Sequence, residues 1–160
     1  MTGFIAHIPP ADVPAEVIDN EPFFPAIATT DLRAIGRFDG GTTPEQLRAA
    51  ILAALTHVND QLRDWAAQQQ GAGHTTLADV PAPQIASQSV RLHAYRRAIA
   101  HAAMGQLEDT RRAQSTLPAG MGKDARVLES VGLRTADHWR DMRNAIADVM
   151  QRMRETVELI

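Results

Sequence analysis

The chain has 160 residues, 44% of them apolar, which is enough for one domain with its own hydrophobic core. Its formal net charge of −3 is unlike the strongly basic balance of proteins that grip nucleic-acid phosphates. The absence of cysteine excludes disulfides, thiolate metal sites and cysteine nucleophiles. No basic leader or run of about 18 apolar residues is present, so we expect neither secretion nor a membrane span.

The N-terminal quarter of the chain is rich in proline and glycine. Proline removes a backbone donor and clashes with the preceding helical turn, so residues 1–42 are predicted to form an extended, acidic, mostly irregular arm and no core element. Phe23 and Phe24 form a small apolar cluster in this arm. They could order against a partner or pack against this domain's own surface, and the sequence leaves both open.

Residues 43–160 are predicted to form a helical domain. Its first helix begins at Thr43, because a threonine N-cap, Pro44 at the first position and Gln46 completing a capping box are typical of a helix start. Apolar residues at intervals of three and four then line one face as far as Gln70. Glycines end the helix there.

A second helix is predicted to follow a proline-rich connector. Ser87 or Ser89 can cap it, many alanines on it permit close helix packing, and it fades near Ala113. After a loop, residues 124–131 are predicted to be helical, and Gly132 is expected to weaken that helix.

The last helix is predicted to begin with Thr135 as its cap and to have two different faces. Arg140 and Arg143 face outward, toward solvent or a neighbouring subunit, and Asp148 and Arg152 are spaced for an ion pair. The opposite, buried face carries Trp139, Met142, Ile146, Val149 and Met153. No strand pattern competes, so the predicted fold class is all-α: a small bundle of long helices with an irregular N-terminal arm.

The histidines and serines do not form a recognisable catalytic or metal site. His93 and His101 lie two helical turns apart, too far for one metal ion without a third element. Asp137 and His138 are adjacent, and adjacent helical side chains point about 100° apart. There is no G-x-S-x-G motif and no phosphate-binding loop. We therefore expect no enzymatic activity, no cofactor and no bound metal.

The second helix and its tail have a local excess of three positive charges. This surface could meet phosphates or the acidic arm of a neighbouring copy. Few aromatic residues are available to stack bases and no helix-turn-helix is recognisable, which favours protein contacts. The charged residues are Arg91, Arg96, Arg97, Arg111 and Arg112, against Glu108 and Asp109.

Several ordered segments resemble the head completion proteins of contractile-tailed phages, the adaptor subunits of the head-to-tail connector. The resemblance covers residues 23–149, and "TTLADVP" and "WRDMR" are its most specific parts. The sequence departs from the family pattern at His93 and Ala94, where aromatic residues are expected, and at Gly132. The matching segments are "FFPAI", "RFDGGTTPEQLRAAI", "GHTTLADVPAP", "SVRLHAYRRAIAHAAM" and "HWRDMRNAIADV".

The resemblance implies a structural virion protein at the neck, made in the host cytoplasm, with no catalytic residues to carry over. It would bind the portal vertex after DNA packaging, help to retain the DNA and form the tail attachment site. Its implied partners are the portal protein, neighbouring copies in a dodecameric ring and a tail or tail-completion protein, with DNA nearby but not read by sequence and no membrane. We expect the subunit or portal interface among Phe23, Phe24, Arg140, Arg143 and the apolar C-terminal Leu159 and Ile160.

Two other classes remain as alternatives. A DNA-binding packaging component resembling a terminase small subunit, or another helical interaction module, would fit an all-α chain. A helical hydrolase would have to use His93 or His101. Neither class has a distinctive motif in this sequence.

Overall fold

The computed structural model describes residues 16–36, 38, 42–115 and 124–152. Within those residues four helices dominate, so the predicted all-α class is confirmed, and the only strands are two short antiparallel pairs. The elements are β1 (Val17–Ile18), β2 (Ile27–Ala28), α1 (Thr29–Ile35), α2 (Pro44–Gly71), β3 (Gln84–Ile85), β4 (Gln88–Ser89), α3 (Val90–Ser115) and α4 (Asp124–Met150), with a short 3-10 turn over Leu77–Asp79.

Helix α2 begins and ends where the sequence predicts. The Thr43 hydroxyl accepts from the Gln46 amide at 3.2 Å, and the Gln46 side chain accepts from the Thr43 amide at 3.1 Å. These two bonds form the expected capping box, with Pro44 in the first turn. After Gly71 the chain turns away through Gly73, whose φ of 96° suits a residue without a Cβ.

Helices α3 and α4 are both longer than the sequence predicts. The Ser89 hydroxyl accepts from the amide of Arg91 at 3.3 Å, so Ser89 is the cap of α3. The weak point predicted at Gly132 does not interrupt the helix: α4 is one continuous helix, and Thr135 is buried within it and does not cap it as expected. A glycine inside a helix costs about 1 kcal/mol relative to alanine, which the packing of α4 on α3 outweighs.

The hydrophobic core lies along α3, which packs against α2 on one side and α4 on the other. Small side chains on α3 let the neighbouring helices approach its backbone closely. The contribution of α3 is Ala94, Tyr95, Ala98, Ile99, Ala100, Ala102 and Ala103, and α4 adds Met142, Ala145, Ile146 and Val149.

Residues 16–36 differ from the predicted irregular arm. Pro22 and Pro25 flank a turn that reverses the chain, and β1 then pairs with β2. The prolines therefore shape a connection between packed elements and do not keep the segment off the core. Five buried apolar side chains of this segment join the core, namely Ile18, Phe23, Phe24, Ile27 and Leu32.

A buried polar network ties this N-terminal segment to α2 and α3. The Tyr95 hydroxyl donates to Asn59 Oδ1 at 2.6 Å and accepts from Asn20 Nδ2 at 2.8 Å. Asn59 Nδ2 donates to Asn20 Oδ1 at 2.8 Å, which closes a three-membered ring of hydrogen bonds. Burial raises the pKa of the Tyr95 hydroxyl well above its usual value, so this group remains a donor at neutral pH.

A histidine pair lies between α3 and α4. The Nδ1 atoms of His101 and His138 are 3.3 Å apart, so the pair can share a hydrogen bond only when at least one ring is neutral. Burial lowers the pKa of His101 below its usual value of 6.5; His138 and Arg97 act in the same direction and Asp141 opposes them. The folded state therefore favours neutral His101.

We predict that Tyr95→Phe lowers the free energy of unfolding by about 1–3 kcal/mol, because Asn59 Oδ1 loses its donor in a buried site and Asn20 Nδ2 keeps only the Pro25 carbonyl as acceptor. Urea unfolding followed by circular dichroism measures the change. The exposed Thr56→Val is the control for loss of a hydroxyl. A loss below about 0.5 kcal/mol would show that the network contributes little.

We predict that acidification destabilises the protein through His101. Because its pKa is lower in the folded state, the unfolded chain takes up the proton first, so stability is complete above pH 6.5 and falls as the pH drops below that value. Unfolding free energies between about pH 7.5 and 5 should fall less steeply in His101→Gln than in the wild type, and the exposed His93→Gln is the control for loss of one imidazole. Identical slopes in all three proteins would contradict this role of His101.

Candidate interaction surfaces

The predicted attachment point at Phe23 and Phe24 is not available on the surface. Phe23 is 3% exposed and Phe24 5% exposed. The Phe24 ring stacks on Tyr95 at 5.0 Å, and the Phe23 ring meets Trp65 edge-on at 6.2 Å. The two rings therefore pack against their own domain, which was the other possibility that the sequence left open.

The "TTLADVP" segment forms the turn that holds Phe23 in place. The Asp79 carboxylate accepts from the Thr75 hydroxyl at 2.7 Å and from the Thr76 amide and hydroxyl at 2.8 Å. These bonds lower the pKa of Asp79 below its usual value. The following amide of Leu77 donates to the carbonyl of Phe23 at 2.8 Å. This segment thus has a structural role in docking the N-terminal segment.

Arg91, one of the arginines of the predicted basic surface, is a buried structural residue. Its guanidinium donates to the carbonyl of Val149 in the last turn of α4 and, at 3.0 Å, to the side chain of Gln151. It also lies over the Trp65 ring, 5.4 Å from the centroid. Burial lowers the pKa of Arg91 from its usual value. A cation at a helix C-terminus is favourable, so Arg91 fixes the end of α4 and does not face a phosphate.

Arg97 of the same predicted surface is bound across the helix interface. It forms an ion pair with Asp148 of α4. The sequence predicts a pair of Asp148 with Arg152, but α4 ends at Met150 and Arg152 lies beyond the helix. A tight turn made by the Gln151 amide to the carbonyl of Asp148 redirects the chain there.

Arg140 and Arg143 lie on the exposed side of α4, as predicted. Arg140 pairs with Asp137 at 2.8 Å and with Asp141 at 3.4 Å, and the Arg140 side chain stays 59% exposed. Exposed ion pairs within one helix contribute little to stability. These arginines are therefore open to a partner without being needed for the fold. The predicted C-terminal residues Leu159 and Ile160 lie outside the described residues.

An open groove runs between α2 and α3 and continues toward α4. We call it the alanine groove, and its apolar end has a cavity volume of about 200 Å³. Trp139 closes the far end: its ring meets His57 edge-on at 5.5 Å and its indole NH donates to Asp109 at 3.2 Å. Gly105 permits this contact, because a Cβ there would lie 3.0 Å from the indole. The apolar end is lined by Gln46, Ala49, Ala50 and Ala53 of α2 and by Gln106, Leu107, Thr110 and Arg111 of α3.

The described side chains offer surfaces for binding. In the described parts of the chain, no three histidine or carboxylate side chains are placed to hold a metal ion. Across the same residues, no helix is long and apolar enough to span a membrane. His93 contacts the carbonyl of Ile85 at 3.0 Å and so belongs to the packing of the β3–β4 hairpin.

Sequence reasoning missed two features that matter for these surfaces. Asn59 interrupts an apolar helical face, which was a signal for a buried polar contact, but its partners Asn20 and Tyr95 are distant in sequence. The alanine groove had a weaker signal in Ala49 and Ala53, which repeat at helical spacing beside the core stripe. Whether small residues line a groove or pack on a helix depends on the neighbouring helix.

Comparisons with known proteins identify relatives of this chain. The family described as "Phage head completion protein (GPL)" matches residues 18–160. The chain is also 33% identical over 152 residues to the "Head completion/stabilization protein" of Escherichia phage P2, covering 95% of this chain and 86% of that protein. No solved structure matches the chain. The matched range includes every helix described above, and the chain belongs to the phage head completion protein family.

Proposed function

We propose that this chain is a structural subunit of the head-to-tail connector in a phage virion. It binds the portal vertex after DNA packaging, helps to retain the DNA and forms the site where a tail or tail-completion protein attaches. In the assembled neck, neighbouring copies form a ring that is dodecameric. The family match over residues 18–160 is the observation that carries this proposal.

The architecture of α4 supports a binding role. One side of the helix is bound to α3 through Met142, Ile146 and Val149, which are at most 4% exposed. The other side presents Arg140 and Arg143 on a rigid element. Arginine suits interfaces because its planar guanidinium makes paired hydrogen bonds with carboxylates. We assign these two arginines to the portal-facing surface, with the C-terminal Leu159 and Ile160 as a second docking element.

A DNA-binding packaging component fits the described residues less well. Arg91 is buried and Arg97 is paired with Asp148. Arg96 and Arg111 donate to the side chains of Gln88 and Thr42, so these arginines of the basic segment already have partners within the fold. The formal net charge of the chain is −3, whereas DNA affinity depends on neutralising phosphates. DNA near the connector is therefore retained by the assembly and not read by this subunit.

Charge reversal tests the portal-facing surface. We predict that Arg140→Glu with Arg143→Glu weakens binding to the portal protein of the same phage at least tenfold, about 1.4 kcal/mol, while circular dichroism stays unchanged. Arg63→Glu is the matched control, since Arg63 forms an exposed pair with Asp60 at the same helical spacing as Arg140 with Asp137. Unchanged portal affinity in the double variant would show that these arginines do not contact the portal and only add solubilising charge to the surface.

Limited proteolysis tests whether the two ends of the chain become ordered when the protein binds the portal. We predict that chymotrypsin cleaves free protein at Phe4 and Leu159, and that portal binding slows cleavage at one or both sites at least tenfold. The internal control is the buried Phe23, which should resist cleavage in both states because it is held in the core. Equal cleavage at both ends in both states would contradict docking by the terminal segments.

A further inference from the structure

The alanine groove and the ion pair that holds Glu16 lie on opposite flanks of α2. Arg48 and Ala53 are five positions apart, which places them about 140° apart around the helix axis. Ala53 lies in the alanine groove. Arg48 lies on the other flank, where its Nε donates to Glu16 at 2.7 Å. The chain preceding Glu16 therefore starts on the side of α2 that faces away from its own groove.

Glu16 is fixed firmly at this point. Besides the ion pair with Arg48, its amide donates to the Thr29 hydroxyl at 3.2 Å and its carbonyl accepts from the Thr29 amide at 2.8 Å. Two exposed apolar side chains flank the ion pair: Val17 is 61% exposed, and Leu52, one turn beyond Arg48, is 41% exposed. We call this flank, with Glu16, Val17, Arg48 and Leu52, the exit face.

The sequence before Glu16 has two parts of different chemistry. Residues 1–10 contain no Asp, Glu, Lys or Arg and carry the bulky apolar Phe4, Ile5 and Ile8. Residues 9–15 are a proline-containing connection that, fully extended, would span roughly 23 Å at about 3.3 Å per residue. That length exceeds the 8–10 Å that separates the axes of packed helices, so the apolar part can reach a neighbouring molecule.

The alanine groove matches the apolar part in size and polarity. An apolar cavity of about 150 Å³ accepts a benzene ring, and the apolar end of the groove has about 200 Å³. Its α2 wall carries Ala49, Ala50 and Ala53, which offer apolar surface, while Gln46 of α2 and Arg111 of α3 add polar groups to the lining. A phenylalanine or isoleucine side chain would remove its apolar surface from water there, which favours binding.

We propose that the alanine groove binds residues 1–8 of a neighbouring copy of this chain. Rings require head-to-tail contacts, in which one face of each subunit meets a different face of the next. The exit face and the alanine groove are such a pair on opposite flanks of one helix. In this contact the apolar segment of one subunit enters the groove of the next. The inference rests on the proposed ring and names the surface through which the ring closes.

Cysteine cross-linking tests the contact, because the chain has no native cysteine. Ala6→Cys with Ala53→Cys keeps Phe4 and Ile8 intact and places one thiol on the segment and one in the groove. With portal protein bound, a short bis-maleimide reagent should convert the subunits into a ladder of covalent oligomers on a denaturing gel. Ala6→Cys with Gln68→Cys is the matched control, since Gln68 is exposed on α2 about 22 Å from position 53, and it should give no ladder.

Electron microscopy of the untreated double-cysteine protein with portal separates the possible failures. Rings without a ladder would overturn the groove contact and leave the proposed connector role standing. A cross-linked monomer would also overturn it, because the segment would then occupy its own groove. Absence of rings in the wild-type protein would count against the connector role and the contact together.

A groove-blocking variant gives an independent readout without cysteines. Ala53 is exposed, so Ala53→Arg should leave circular dichroism and thermal unfolding unchanged. We expect ring yield with portal to fall at least tenfold in this variant, while Gln68→Arg forms rings normally. Normal ring yield in Ala53→Arg would overturn the proposal.

Discussion

The hydroxyl group of Tyr95 is the point on which the placement of the N-terminal segment depends. It joins Asn59 of α2 to Asn20 of the N-terminal segment; Tyr95 and Asn59 are buried and Asn20 is half-buried. Because buried polar groups are costly when unpaired, this ring of hydrogen bonds favours the observed placement of the segment. Phe24 then stacks on the Tyr95 ring, and the turn at Asp79 holds Phe23 beside it.

The small side chains of α3 allow α2 and α4 to approach α3 closely on two sides. A groove remains beside this packing, lined by small side chains of α2 and by longer side chains of α3. Trp139 fills that space at one end, where Gly105 makes room for its ring. The other end remains open as the alanine groove. The alanines of α2 and the position of Trp139 beside Gly105 thus set the shape of this groove.

Signals from residues close together in the sequence were sufficient to predict the helices. They were insufficient to predict how the helices and the N-terminal segment pack against each other. The Thr43 capping box and the Ser89 cap could be predicted because they involve contacts within three residues. Gly132 was misread because its local cost is small compared with the burial of α4 on α3. The prolines around Phe23 predicted an arm, since nothing nearby in sequence indicates that Leu77 and Tyr95 receive that segment.

A candidate surface could be predicted from the sequence only where all of its residues lie on one helix, so that helical periodicity decides which side chains are exposed. Arg140 and Arg143 were assigned to the outside of α4 from periodicity alone, because the opposite side of that helix is apolar. Arg91 has the same residue type and a similar sequence setting, yet it is buried, since the end of α4 and the ring of Trp65 come to it from distant parts of the chain. An arginine's role thus follows from which carbonyls and rings surround it. In the proposed ring, buried and exposed arginines therefore have different roles. Arg91 fixes the end of α4 within each subunit, whereas the exposed side of α4 contacts the portal. The two flanks of α2 form the contacts between neighbouring subunits.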